Sequence, residues 1–173
     1  MPTTATAPRI YVACLSSYVS GYLHGAWIDG DQDGDDIQAE IDKMLKASPA
    51  LLPEEWEIHD HEGWGGIDPA QVDLDELVEL AEILESHPVS FPAYWGNLGS
   101  HMDDLPEIHR AFEESYRGCW PSLEDFCEEN YCEDIPDHIG RYVDWSAVAE
   151  EWFDNEYWFD RESYDQVHIF DRV

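Results

Sequence analysis

The chain has 173 residues, 43% of them hydrophobic and 13% aromatic, which supplies enough apolar material for a core and excludes an intrinsically disordered chain. Forty Asp and Glu against eight Lys and Arg leave a formal net charge of -32, which repels DNA, RNA and anionic membrane and points to a basic partner. The start carries no charged and apolar leader, no run of 18 apolar residues occurs, and Cys14, Cys119, Cys127 and Cys132 form neither a CxxC nor a zinc-type pairing, so a cytoplasmic protein with reduced thiols is expected.

Residues 1–8 are small, polar and bounded by proline, and read as a loose tail. Ile10 to Leu15 and Tyr22 to Asp29 are β-rich and predict paired strands. A helix is expected from Asp36 to Ala47, with Ile37, Ile41, Met44 and Leu45 on one face and Ser48-Pro49 ending it. Trp56 to His59 alternates as a third strand before a glycine-rich break at Gly63, Gly65 and Gly66, giving a ββαβ-like first lobe. Asp68-Pro69 then predicts the start of a helix that ends at His87-Pro88 and buries Leu74, Leu77, Val78, Ala81 and Leu84.

Pro88 to Ser100 reads as less regular and aromatic. A further helix fits Leu105 to Tyr116, with Ile108, Phe112 and Tyr116 inward and Gly118 as its stop. Ser122-Leu123-Glu124-Asp125 has the form of a capping box opening a helix that runs to about Cys132. Another helix spans Trp145 to Phe153, burying Trp145, Val148, Ala149 and Trp152, and Tyr157 to Asp160 with Val167 to Phe170 reads as a terminal hairpin. The class is α+β.

The distribution of charge says more than its sum. No Lys or Arg occurs from residue 47 to 109, an interval that holds fifteen carboxylates. Surface helices stabilised by ion pairs alternate sign, and this stretch does not. On the helix after Asp68, Asp75 and Glu79 stand four apart and Glu76, Glu79, Glu82 and Glu85 step by three; each such like-charge pair costs roughly 0.2–0.5 kcal/mol with no lysine to relieve it.

Duplex DNA carries one negative charge per ~1.7 Å of axis, so the net charge matches about 54 Å, or ~16 base pairs, as an upper bound. A salt-adapted protein spreads its carboxylates evenly, whereas a DNA mimic concentrates them in a track. The interval free of basic residues favours a track of Glu54, Glu55, Glu57, Asp60, Glu62, Asp68, Asp73, Asp75, Glu76, Glu79, Glu82, Glu85, Asp103, Asp104, Glu107, Glu113 and Glu114.

Three other chemistries are weighed against this. Asp29-x-Asp31-x-Asp33-Gly34-x5-Glu40, with Asp35 available through its carbonyl, satisfies the EF-hand loop pattern and motivates the alternative of a calcium-responsive acidic binding module. Against it, the preceding segment reads as a strand where an EF-hand needs a helix, and the eighth loop position is Asp36 where an apolar residue is usual. In His59-Asp60-His61-Glu62, strand alternation places His59 and His61 on one face with no third ligand supplied by spacing, so a structural role is expected. No GxSxG, phosphate-binding glycine loop or Cys/His nucleophile spacing is present, so neither catalysis nor a cofactor is expected.

Several separated blocks in order carry a resemblance. Ile10-Tyr11-Val12-Ala13-Cys14-Leu15, Tyr22 to Asp29, Glu54 to Asp60 with Glu62-Gly63, Phe112-x-Glu114-x-Tyr116-x-Gly118 with Ser122 to Phe126, and Ile135-Pro136 with Tyr142-Val143-Asp144-Trp145 together resemble the ArdA-type antirestriction proteins of mobile genetic elements. The motif positions are Tyr116, Gly118, Leu123, Asp125, Phe126, Tyr142 and Asp144. The resemblance implies an elongated chain of three small lobes at about 9–66, 67–118 and 119–173: an α/β N-terminal lobe, an acidic helical middle lobe, and an α/β C-terminal lobe through which a homodimer forms. It further implies a non-enzymatic inhibitor whose carboxylates mimic B-form DNA in the groove of type I restriction-modification enzymes, with neither nucleic acid nor membrane as its partner.

Overall fold

The computed structural model describes residues 7–98, 104–131 and 135–172. The chain is a mixed α+β protein that divides into two compact units, Met1–Ile108 and His109–Val173.

In the first unit, β1 (Arg9–Cys14) is the central strand of a three-stranded antiparallel sheet, with Ile10, Val12, Ala13 and Cys14 fully buried. The chain leaves the strand one residue earlier than its β-rich composition predicts. Leu15 opens the short α1 (Leu15–Val19), where the buried Ser17 hydroxyl lies 2.7 Å from the Ser48 hydroxyl. β2 (Gly25–Asp29) pairs with β1 from Ala13↔Gly25 to Arg9↔Asp29, leaving Tyr22 and Leu23 exposed outside the ladder. α2 (Gly34–Lys46) buries Ile37, Ile41, Met44 and Leu45. Asp35 and Asp36 in its first turn and Lys43 and Lys46 in its last complement the helix dipole.

β3 (Trp56–Glu62) pairs along the other side of β1 and is longer than the alternation of its first four residues indicates. Beyond it the Trp64 indole is buried and donates to the Arg9 carbonyl at 2.8 Å. Gly65 has φ +63, and a Cβ there would lie 2.5 Å from Pro92 Cγ, so a side chain is excluded by both backbone and neighbour.

Asp68-Pro69 caps a single 3-10 turn, Pro69–Gln71, and not the long helix expected there. Val72 is extended, and α3 (Leu74–Ser86) starts at the stronger signal, a capping box in which Asp73 accepts from the Asp75 and Glu76 amides while Glu76 accepts from the Asp73 amide. Its buried face is Leu77, Leu80, Ala81, Ile83 and Leu84. The stretch expected to be irregular forms α4 (Ser90–Leu98), burying Phe91 and Tyr94. Pro92 sits in its first turn, where an amide lacks a helical acceptor in any case. α5 (Leu105–Ser115) buries Leu105, Ile108 and Phe112.

In the second unit, Tyr116 is the first residue of β4 (Tyr116–Trp120) and not the end of the helix. Gly118, expected as a helix stop, lies within that strand at φ +98, where the register shifts between Tyr116↔Phe170 and Gly118↔Ile169. After β4 come α6 (Leu123–Tyr131), α7 (Asp137–Gly140), α8 (Trp145–Asn155), β5 (Tyr157–Ser163) and β6 (Gln166–Asp171). The sheet order is β4-β6-β5, antiparallel throughout. Phe126, Cys127, Ala149, Phe153, Val167 and Ile169 form the core, with Trp145, Val148 and Trp152 only partly buried against it. On the other face Phe170 stacks on Trp158 at 4.1 Å and packs near Tyr116 at 5.2 Å.

Phe126 is 2% exposed and makes edge-to-face contacts with Trp120, Trp152, Phe153 and Tyr157. Phe126→Ala is therefore expected to destabilise the second unit by about 3–5 kcal/mol. Urea unfolding followed by tryptophan fluorescence measures the loss, and a shift of less than about 1 kcal/mol would remove Phe126 from the centre of the core.

Candidate functional site

The acidic interval is built on β3 and α3. Its β3 portion depends on one irregularity: Val12 pairs with Ile58 but Tyr11 pairs with Asp60, so His59 is an extra residue opposite β1. Strict alternation would place Glu57 with His59 and His61, and Asp60 and Glu62 on the reverse face. With the bulge, Glu57, Asp60 and Glu62 become the partners of Ala13, Tyr11 and Arg9 and share one face, all three exposed. Asp29 joins that face from β2. Arg9 is the cation among them, 2.9 Å from Asp29 and 3.4 Å from Glu62, with its guanidinium 5.5 Å from the Trp27 ring centre.

The same bulge overturns the expectation that His59 and His61 share a face. His61 follows the register of Ile58 and lies 3.8 Å from Asp68, whereas His59 meets the Tyr18 ring edge-on at 4.9 Å and Glu57 at 3.8 Å.

On α3 and around it the carboxylates divide by duty. Asp73 and Glu76 hold the capping box, Asp68 accepts from the Ala70 amide at 3.0 Å, and Asp104 accepts from the Glu107 amide at 3.1 Å. Glu79 is half-buried and Glu107 exposed. Glu54, Glu55, Asp75, Glu82 and Glu85 face solvent and, among the described residues, have no side-chain hydrogen bond or ion pair. Glu82 and Glu85 also lie toward the carboxyl end of α3, whose last turn has no basic residue, so they oppose the helix dipole. In the second unit Glu113 lies 3.8 Å from His109, and Glu114 is exposed. Asp103 falls outside the described residues.

Asp29, Asp31, Asp33, Asp35 and Glu40 are reached from strand β2, not from a helix. Asp29 is engaged by Arg9, Asp33 precedes α2 without a side-chain cap bond, and Glu40 points to solvent from α2. Among the described residues, the group of three or more potential metal ligands brought together is a different one, Cys119, Glu162 and His168.

No spacing rule indicates that trio, because sheet pairing alone brings residue 119 to residue 168. The two strands form a Cys/His pair, yet partial burial, then the Glu162 carboxylate, push the Cys119 thiol up. Burial, then Glu124, push Cys127 up to about 11. Neither thiol has the lowered pKa of a reactive nucleophile.

The family model described as Antirestriction protein (ArdA) matches residues 10–166. The chain belongs to the ArdA antirestriction family. No curated protein matches it. An antirestriction role follows from membership, and the ArdA motif positions turn out to be largely architectural. Phe126 is core and Leu123 packs against that core. Asp144 caps α8 through the Ala147 amide at 3.2 Å, and Ser122 both donates to the Asp125 carboxylate and accepts from the Asp125 amide. Gly118 makes the bulge in β4, and the Tyr116 hydroxyl meets His168 Nδ1 at 2.9 Å. Tyr142 differs, being 80% exposed. Among the described residues, no helix is long and apolar enough to cross a membrane.

This division of the ArdA carboxylates is measurable by thermal or urea unfolding. Asp73→Ala is expected to cost about 0.5–2 kcal/mol, the usual loss for a helix cap. Glu82→Gln and Glu85→Gln are expected to be neutral or to stabilise by roughly 0.3–1 kcal/mol each, because they relieve the dipole. Equal destabilisation by all three would contradict the assignment of duties.

Proposed function

We propose that this chain protects incoming DNA by occupying the DNA-binding groove of a type I restriction-modification enzyme, its carboxylates standing in for phosphates. The observation that carries the reading is the solvent-facing set Glu54, Glu55, Asp75, Glu82 and Glu85, together with the shared β3 face of Glu57, Asp60 and Glu62, in an interval without Lys or Arg. Carboxylates that oppose a helix dipole and relieve no cation cost stability, which is understandable if they meet cations on another molecule. A groove lined with Lys and Arg releases condensed counterions when phosphates dock, and a carboxylate surface enters the same exchange. The track takes in Asp68, Asp73, Glu76, Glu79, Asp103, Asp104, Glu107, Glu113 and Glu114 as well, and no single residue dominates it.

In this reading the chain acts as a stoichiometric inhibitor and not as an enzyme. The lobes at about 9–66 and 67–118 carry the track, and pairing of two copies through the third, at about 119–173, lengthens it. Occupancy of the groove blocks cleavage.

The test is direct binding of the chain to a type I enzyme, alongside DNA competition. Affinity is expected to fall by about 10³-fold or more between ~50 and ~200 mM salt, as for a ligand that makes six or more phosphate-like contacts. Asp60→Asn, Glu82→Gln and Glu85→Gln, combined stepwise, are each expected to weaken binding about two- to fivefold, the scale of an exposed ion pair. A flat response across the series, or failure to displace DNA at low salt, would sink the reading.

A further inference from the structure

We propose that Cys119, Glu162 and His168 form a zinc site that ties together the three strands of the second unit's sheet. The Cys119 sulfur, a Glu162 carboxylate oxygen and a His168 ring nitrogen lie within 4.8 Å of one another. Each comes from a different strand: Cys119 and His168 are direct partners across β4 and β6, and Glu162 reaches in from β5 at the register shift between Arg161 and Ser163. His168 Nε2 and Glu162 Oε2 are 3.0 Å apart. Zinc bonds of about 2.0–2.3 Å set tetrahedral ligand atoms roughly 3.3–3.6 Å from each other, so small side-chain rotations close the trio on an ion.

The surroundings of His168 match those of a ligating imidazole. The residue is 7% exposed, and its other nitrogen, Nδ1, is held by the Tyr116 hydroxyl at 2.9 Å. With the metal bound, the ring carries its proton on Nδ1 and donates it to the tyrosine oxygen, so Nε2 presents its lone pair to the ion held by Cys119 and Glu162. Tyr116 is thus a positioning residue. In the metal-free chain the ring proton sits on Nε2 and is donated to Glu162; on binding it passes by way of solvent to Nδ1, the Cys119 thiol gives its proton to solvent, and the Glu162 carboxylate exchanges the hydrogen bond for the metal. Cys119 and Glu162 are both exposed, leaving a fourth position to water. Thiolate and imidazole are poor ligands for calcium or magnesium, which distinguishes this trio from the all-oxygen acidic surface of residues 54 to 107.

The experiment titrates zinc chloride into the full, reduced, metal-free chain in excess magnesium, which occupies the diffuse carboxylate atmosphere. Cobalt(II) serves as a spectroscopic substitute. One equivalent per chain is expected to bind despite the magnesium, and cobalt is expected to give a thiolate-to-metal charge-transfer band. Cys119→Ser, a change at an exposed residue, removes both. Tyr116→Phe keeps the ring stacked on Phe112 and keeps the band, but weakens affinity by about 10–100-fold. Glu82→Gln changes neither. A band or a magnesium-resistant equivalent that persists in Cys119→Ser, or the absence of any such equivalent in the unaltered chain, overturns the proposal.

Discussion

Forty carboxylates and eight cations cannot be paired off against one another, and the rest of the structure depends on how the surplus is accommodated. Part is absorbed by the backbone. Asp68, Asp73, Asp104 and Asp144 each accept from an amide at the start of a helical segment, so negative charge sits where helix termini welcome it. A second part leans on scarce cations, with Arg9 shared between Asp29 and Glu62 and Arg117 held by Asp171, which raises the guanidinium pKa further. What remains faces water, and from residue 47 to 109 it does so with no Lys or Arg in the same stretch of chain. Excess charge is therefore sorted into a structural fraction and an outward-facing fraction.

The apolar cores make this tolerable. In the first unit, α2 and α3 turn their aliphatic residues inward and leave acids outside; in the second, an aromatic cluster around Phe126 does the equivalent. Both depend on non-directional burial, which charge repulsion at the surface weakens but does not reroute.

Much of this was legible in the residues. The four apolar positions of α2 follow helical spacing and are the four buried, and β1 announced itself through its β-branched and aromatic composition. Local signals that compete misled. Asp68-Pro69 looks like a helix start, but Asp73 and Glu76 five residues on form a reciprocal cap that captures the helix. Gly118 looks like a helix stop, but long-range pairing with β6 recruits it into a strand. Pro88 to Ser100 reads as less regular, but Pro92 is tolerated in the first turn of α4, whose start the sequence does not mark. The acidic interval was visible as composition, whereas the facing of its carboxylates and the meeting of Cys119 with His168 depend on sheet register, which no local pattern encodes.

The extra residue at His59 bears on how relatives are compared. A strand has a period of two, so one residue more or less exchanges its faces. A relative with the same residues but no bulge here would keep the same acids in the same order, yet turn Asp60 and Glu62 inward against the buried side of β1. Aligned by identity alone, the two chains would look equally acidic while displaying different surfaces. The pairing register along β3, more than the count of acids in it, is what a lineage must preserve for this face to keep its charge.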